Sequence, residues 1–274
     1  MILLASKKKL QKTMKEYWHW YNKAQKLGKK EKYKKAIACF EKALTFQKED
    51  YWAWYNRAEA LYKRRDYKKA IASYEQAAKI RPDDYWSWYH IGYIFLEDLD
   101  QFEDALTYFE KAQTIRTDDY WTWYYKGDAF RHLQDYEKAI VCYEQALILR
   151  PNDYWSCYRT GDSYRQLKQY ENAIICYEQV TQIAPNSFWP WYKQGDSYRH
   201  LGQYEKAIIC YQKAINLEPD DDYAWYNLAC CAAKIGLIDL ATEGIERAIQ
   251  LSYHHQTIAG NDPDLKELKN LEIF

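Results

Sequence analysis

Apolar positions along the chain fall at helical spacing in two alternating stripes. From Tyr17, the residues Trp20, Ala24 and Leu27 stand four and three apart; further on, Tyr33, Ala36, Phe40 and Ala43 do the same. Each set is one face of a helix. Both stripes return with the aromatic pairs Tyr51-Trp52, Tyr85-Trp86, Tyr120-Trp121, Tyr154-Trp155 and Phe188-Trp189, and Tyr223 continues the Trp register. The step is 34 residues throughout, except 35 between Tyr85 and Tyr120. Seven repeats result, 17–50, 51–84, 85–119, 120–153, 154–187, 188–221 and 222–255. The extra residue of the third is expected in Leu96–Gln101. A loop absorbs one residue cheaply, whereas a helix would turn everything after it by about 100°.

Counting each repeat from its first aromatic, position 4 is Trp20, Trp54, Trp88, Trp123, Cys157, Trp191 and Trp225. Position 8 is always small, Ala24, Ala58, Gly92, Gly127, Gly161, Gly195 and Ala229, so a second helix can approach there. The second stripe alternates large and small, as in Tyr136, Ala139, Tyr143 and Ala146. Pro82, Pro151, Pro185 and Pro219, each followed by Asp or Asn, stop one helix and prepare the cap of the next. The pattern W-x2-(L)-G-x2-Y … A-x3-F-x2-A … P at this period resembles the tetratricopeptide repeat, a helix–turn–helix unit. The resemblance covers 17–255. It departs at position 7, usually apolar, where Lys23, Arg57, Lys126, Thr160 and Gln194 stand, and at Tyr253, which replaces the terminal proline.

The fold class implied is all-α, a right-handed superhelical solenoid of seven helix pairs, because one pair cannot bury its stripe alone. Ahead of the repeats lies a Lys-rich segment, 1–16, expected to cover the first pair. After them, 256–274 is expected as a C-terminal capping helix, with Pro263 near its start and Leu265, Leu268 and Leu271 on one face.

Composition sharpens this. The 274 residues carry 39 Lys+Arg and 39 Asp+Glu, yet residues 1–35 hold twelve Lys against two Glu, so +10 faces −10 in the remainder. Aromatic residues make up 18% and Gly plus Pro only 15 residues, too few for a linker-rich chain. No apolar run approaches the roughly 18–20 residues of a membrane span. The opening MILLASKKKLQK puts its basic cluster after a short apolar run, the reverse of a signal peptide. A cytoplasmic, soluble protein with seven reduced thiols is expected.

Chemistry for catalysis does not converge. Gly161-Asp162-Ser163 and Gly195-Asp196-Ser197 look like esterase motifs, but they are positions 8–10 of a repeat, where Gly127-Asp128-Ala129 also stands. Cys39, Cys142, Cys176 and Cys210 share position 23 as small packing residues. Cys230-Cys231 and His254-His255 lack the C-x2-C spacing of a zinc site. No enzyme, cofactor or metal is expected.

The polar stripe of each first helix is richer. In the tetratricopeptide family, positions 2, 5, 9 and 12 line a concave groove that holds extended peptides. Position 2 is Trp18, Trp52, Trp86, Trp121, Trp155, Trp189 and Tyr223; position 5 is Tyr21, Tyr55, Tyr89, Tyr124, Tyr158, Tyr192 and Tyr226. Positions 9 and 12 pair Asp128 with Arg131, Asp162 with Arg165 and Asp196 with Arg199. Two readings follow: rings that fill gaps between helices beside ordinary i,i+3 bridges, or a ladder that a partner completes. The candidate site is Trp52, Tyr55, Trp86, Tyr89, Trp121, Tyr124, Trp155, Tyr158, Trp189 and Tyr192, with the three Asp–Arg pairs as polar selectors. Its expected partner is a protein or peptide, an extended Pro-, Arg- or apolar-rich segment, because the Lys, Arg and Asn of a carboxylate clamp are missing. The alternatives are single-stranded nucleic acid stacking on the rings, or an assembly role through the basic end.

Overall fold

The computed structural model describes residues 2–271, with side chains from Leu10 to Lys266 and that of Leu268. Among them are fifteen α-helices, one 3-10 helix and no strand. The chain groups into two compact units, Met1–Leu133 and Gln134–Phe274.

The first unit contains α1 (Ile2–Gly28), α2 (Tyr33–Phe46), α3 (Tyr51–Lys63), α4 (Tyr67–Ile80), α5 (Tyr85–Glu97), α6 (Phe102–Ile115) and α7 (Tyr120–His132). Each helix packs on the next. Phe40, Tyr74 and Phe109 on the second helices are buried, and so are Ala24, Ala58 and Gly92 on the first. The approach is closest at Gly92, where a Cβ would lie 2.8 Å from the Phe109 ring. Any larger residue at Gly92 would therefore displace the ring. The additional residue of the third repeat lies in the turn between Glu97 and Phe102, so both its helices keep the usual lengths of 13 and 14 residues.

Helix starts follow from the sequence. Asp50, Asp84 and Asp119 cap α3, α5 and α7 by accepting from the amides of Ala53 (2.6 Å), Ser87 (2.9 Å) and Thr122 (2.9 Å). The same carboxylates accept from the first tyrosine of the preceding repeat: Tyr51 Oη donates to Asp84 (2.8 Å) and Tyr85 Oη to Asp119 (2.6 Å). One side chain thus ends one repeat and starts the next. Position 4 adds a tether, since Trp54 Nε1 donates to the Lys48 carbonyl (2.8 Å) and Trp123 Nε1 to that of Thr117 (2.9 Å). Two of the polar residues at position 7 bridge to the preceding repeat. Arg57 reaches Glu41 (2.7 Å) and Lys126 donates to Gln113 (2.7 Å).

The Lys-rich segment differs from expectation. It is no separate cover but the front half of α1, which is 27 residues long. A Lys-rich run without Pro or Gly has good helix propensity, so nothing interrupts it before Tyr17.

The second unit contains α8 (Tyr136–Leu149), α9 (Tyr154–Gln166), α10 (Tyr170–Ile183), α11 (Phe188–His200), α12 (Tyr204–Leu217), α13 (Asp222–Lys234), α14 (Ile238–Leu251), α15 (His254–Ala259) and a 3-10 helix, Pro263–Leu271. The ring-on-glycine contact recurs twice. A Cβ on Gly161 would stand 3.0 Å from Tyr177, and one on Gly195 would stand 3.1 Å from Tyr211. Asp153 and Asp221 cap α9 and α13, while Trp191 and Trp225 tether the carbonyls of Pro185 and Pro219.

The tail expected as one capping helix is two short pieces. Pro263 has no amide proton to continue α15, and Asp262 is occupied otherwise: it accepts from the Asp264 amide (2.8 Å) and from Tyr226 Oη (2.6 Å). Leu265 and Leu268 are fully buried in the same cluster as α13 and α14; the side chain of Leu271 and residues 272–274 lie outside the described residues. Among the described residues, no helix is long and apolar enough to cross a membrane.

Position 20 sits deepest in these contacts, and Ala173 there is fully buried beside Cys157, Tyr177 and Val180. Ala173→Leu should overpack the α9–α10 interface and cost about 1–3 kcal/mol in urea unfolding, with helical content retained. A loss below about 0.5 kcal/mol would show that the interface has room.

Candidate partner-binding surface

The position-2 tryptophans stand open in both units. Trp52, Trp86 and Trp121 are 50, 47 and 41% exposed in the first, Trp155 and Trp189 54 and 52% in the second. Trp18 and Tyr223 hold the equivalent place at 50 and 52%. Within each unit, half-exposed indoles repeated on successive first helices are uncommon on a monomer surface.

The tyrosines beside them behave differently. Tyr124, Tyr158 and Tyr226 are buried, and Tyr55, Tyr89 and Tyr192 are half-buried. Except for Tyr226, which stacks on His255 (4.8 Å), each packs edge-on under its tryptophan, as in Trp52–Tyr55 (6.0 Å between centroids) and Trp155–Tyr158 (6.3 Å). Behind, the ring meets the core aromatic of the second helix, as in Tyr55–Tyr74 (5.4 Å) and Tyr158–Tyr177 (5.9 Å). At Tyr124 and Tyr158 the expected open ladder is corrected: the tryptophans face solvent, whereas these two tyrosines pack between helices. Three residues along a helix rotate the side chain far enough to bring it under the next helix.

The acid–base pairs are satisfied within the protein. Asp128 is buried and takes Arg131 at 3.2 Å. Asp162 accepts from Tyr177 Oη (2.9 Å) and lies 3.7 Å from Arg165, which also reaches Asp196 on α11 at 3.5 Å. Arg199 completes the set, 3.1 Å from Asp196. In the first unit Glu59 plays the carboxylate role, accepting from Tyr74 Oη. These carboxylates tie first helix to second helix, and Arg165 ties one repeat to the next.

Position 6, one turn after each tryptophan, carries side chains placed against the indoles that the stripe of positions 2, 5, 9 and 12 passes over. His90 stacks on Trp86 (6.1 Å) and Tyr125 on Trp121 (5.8 Å). Arg159 lies 5.9 Å from the Trp155 ring and Lys193 6.0 Å from that of Trp189. Their i+4 placement after an aromatic is the signal that could have found them. Burial, reinforced by Arg165, pulls the Lys193 ammonium below the usual lysine range. Asn56 and Asn227 at the same position donate to the Tyr21 (3.2 Å) and Tyr192 (2.9 Å) hydroxyls of the preceding repeat.

Ser163 and Ser197, the serines of the esterase-like triplets, donate to the carbonyls of Arg159 and Lys193 one turn back, both at 2.8 Å. Burial pushes the thiols up, Cys157 to about 11 and Cys210 and Cys231 to about 12, which suppresses the reactive thiolate. Cys230 and His255 contact Asp262 and Asp222 in the C-terminal packing. Among the described residues, no three or more His, Cys, Asp or Glu side chains are placed to hold a metal ion.

Models described as "Tetratricopeptide repeat" match residues 51–84 and 120–153, and residues 20–50 and 87–119. A model described as "TPR repeat" matches 161–198 and 195–230. No curated protein matches significantly. Among solved structures, MamA 41-end from Desulfovibrio magneticus RS-1 is 27% identical with a TM-score of 0.58, over 62% of this chain and 96% of that one. YrrB, described as a TPR protein with an unusual peptide-binding site, is 24% identical with a TM-score of 0.61, over 68% of this chain and 95% of its own. The C-terminal part of a TPR repeat-containing protein from Cytophaga hutchinsonii shares the fold at 18% identity and a TM-score of 0.72, over 88% of this chain and 99% of that one.

The packed tyrosines give the fold an alkaline limit. Burial raises the hydroxyls of Tyr74, Tyr177 and Tyr211 well above the ordinary value, and pushes Tyr192 up to about 12. A tyrosine that ionises at about 10 when unfolded stabilises the fold fully below that pH, and the contribution is lost as pH rises above it. Each such ring removes about 1.4 kcal/mol per pH unit in that window. Tyrosinate absorbance should therefore rise steeply together with loss of helical circular dichroism. A gradual rise centred near pH 10 with the helices intact would contradict the packing.

Proposed function

Because this chain belongs to the tetratricopeptide-repeat family, we propose that it is a non-enzymatic protein–protein interaction scaffold gripping an extended partner segment along its exposed tryptophans. One observation carries the reading: the largest hydrophobic side chain is kept half-exposed at position 2 through six consecutive repeats. Leaving an indole in water forgoes about 1.5–3 kcal/mol of burial, which a bound segment would recover.

First helices of adjacent repeats touch, α1 with α3, α5 with α7 and α11 with α13. Packed helices lie about 8–10 Å apart, and three extended residues span about 10 Å. A segment crossing the helices therefore offers about one side chain in three to successive indoles. Proline and apolar side chains suit that face. Arginine suits it less on Trp155 and Trp189, where Arg159 and Lys193 already supply a cation. Asp162 and Asp196 are engaged by Tyr177, Arg165 and Arg199, so they hold the surface in shape while the indoles make the contact. The proposed anchors are Trp52, Trp86 and Trp121 in the first unit and Trp155 and Trp189 in the second, each unit offering its own set.

Peptides selected from a displayed random library against the wild-type protein provide the test. The double variant Trp155→Ala, Trp189→Ala should bind them more than tenfold more weakly, about 1.4 kcal/mol, with circular dichroism unchanged. Peptides that bind both proteins equally would move the interaction elsewhere. Capture of single-stranded oligonucleotides, weakening steeply with salt, would favour base stacking instead.

A further inference from the structure

Helix α1 is 27 residues long, whereas the other first helices have 13. The first fully buried side chain in its described part is Tyr17. Ahead of it, Leu10 is 64% and Met14 37% exposed, and Trp18 follows at 50%. Spaced by four, these three make one apolar stripe on the helix surface. Lys12 and Lys15 are exposed beside it. In sequence, Lys7, Lys8 and Lys9 precede them, no acidic residue occurs before Glu16, and the helix opens with Ile2, Leu3 and Leu4.

An exposed apolar stripe among lysines rewards some surfaces more than others. A nucleic-acid backbone rewards the lysines but has no use for Leu10 and Met14. An apolar groove on a protein rewards the stripe without calling for five lysines unbroken by an acid. A bilayer surface with anionic lipids rewards both, because apolar side chains enter the headgroup boundary while lysines add attraction without fixed geometry. Tryptophan at the boundary of such a contact matches the preference of indoles for that depth. Residues 19–35 continue the basic run, and residues 36–274 carry −10. An anionic surface therefore attracts the chain at this end and gains no net Coulomb attraction from residues 36–274.

We propose that residues 2–18 of α1 form a basic amphipathic helix that lies in the interface of an anionic lipid bilayer and holds the repeat array there. The contact is peripheral, and it uses residues apart from the proposed peptide anchors, so the two ideas fail separately.

Sedimentation of the full chain with phosphatidylcholine vesicles, with and without phosphatidylglycerol, tests this. Binding to the anionic vesicles should be roughly tenfold or more stronger than to neutral ones. Both Lys7→Glu, Lys8→Glu, Lys9→Glu and the separate variant Leu10→Asp, Met14→Asp should lose it, with circular dichroism unchanged. Failure to sediment with anionic vesicles would overturn the proposal. So would full binding by the Leu10→Asp, Met14→Asp variant, which would mark Coulomb attraction alone. Tight binding of a single-stranded oligonucleotide by that variant, with vesicles ignored, would also overturn it and assign the lysines to phosphate contact.

Discussion

A ring on the second helix closing onto a residue without a bulky side chain on the first sets the spacing of the helix pairs. Phe109 over Gly92, Tyr177 over Gly161 and Tyr211 over Gly195 leave between 2.8 and 3.1 Å for a Cβ at those glycines. This contact fixes how near the two helices come. Everything else on the first helix takes its place by rotation from that point: position 4 reaches back to the preceding loop, position 5 slides under its neighbour, and position 2 is left facing water.

The polar network follows from the same closeness. A tyrosine pressed against the first helix brings its hydroxyl to the carboxylate at position 9, as Tyr177 does to Asp162 and Tyr74 to Glu59. Half-buried carboxylates need donors, and Arg165 and Arg199 supply them to Asp162 and Asp196. Carboxylates at the ends of repeats, Asp84 and Asp119, work alike, each capping a helix and taking the hydroxyl of Tyr51 or Tyr85. Charge in this protein mostly joins helices, while its aromatic surface is the part left to be completed.

Much of this was legible in the sequence. The period, the helix pairs, the small residue at position 8 and the loop that absorbs an extra residue follow from spacing alone. Proline and aspartate at the junctions marked the starts. Less was legible at the surface. Tyr124 and Tyr158 share the stripe of the tryptophans, and periodicity gives the direction of a side chain without saying how far the neighbouring helix overhangs it. The roles of Asp162 and Asp196 depend on Tyr177, Arg165 and Arg199, which helix spacing within one repeat only partly connects. The tail resisted for a local reason: Leu265 and Leu268 marked an apolar face, but Asp262 and Pro263 divide the segment.

The twelve tryptophans divide evenly between position 2 and position 4, and indole N–H exchange with water distinguishes them. In protein labelled with nitrogen-15 at tryptophan, the tethered indoles of Trp54, Trp123, Trp191 and Trp225 should exchange slowly. Those of Trp52, Trp86, Trp155 and Trp189 should exchange fast, and their resonances should be the ones that shift when a selected peptide binds. Slow exchange at position 2, or peptide-induced shifts confined to position 4, would contradict the assignment of the open indoles as the binding surface.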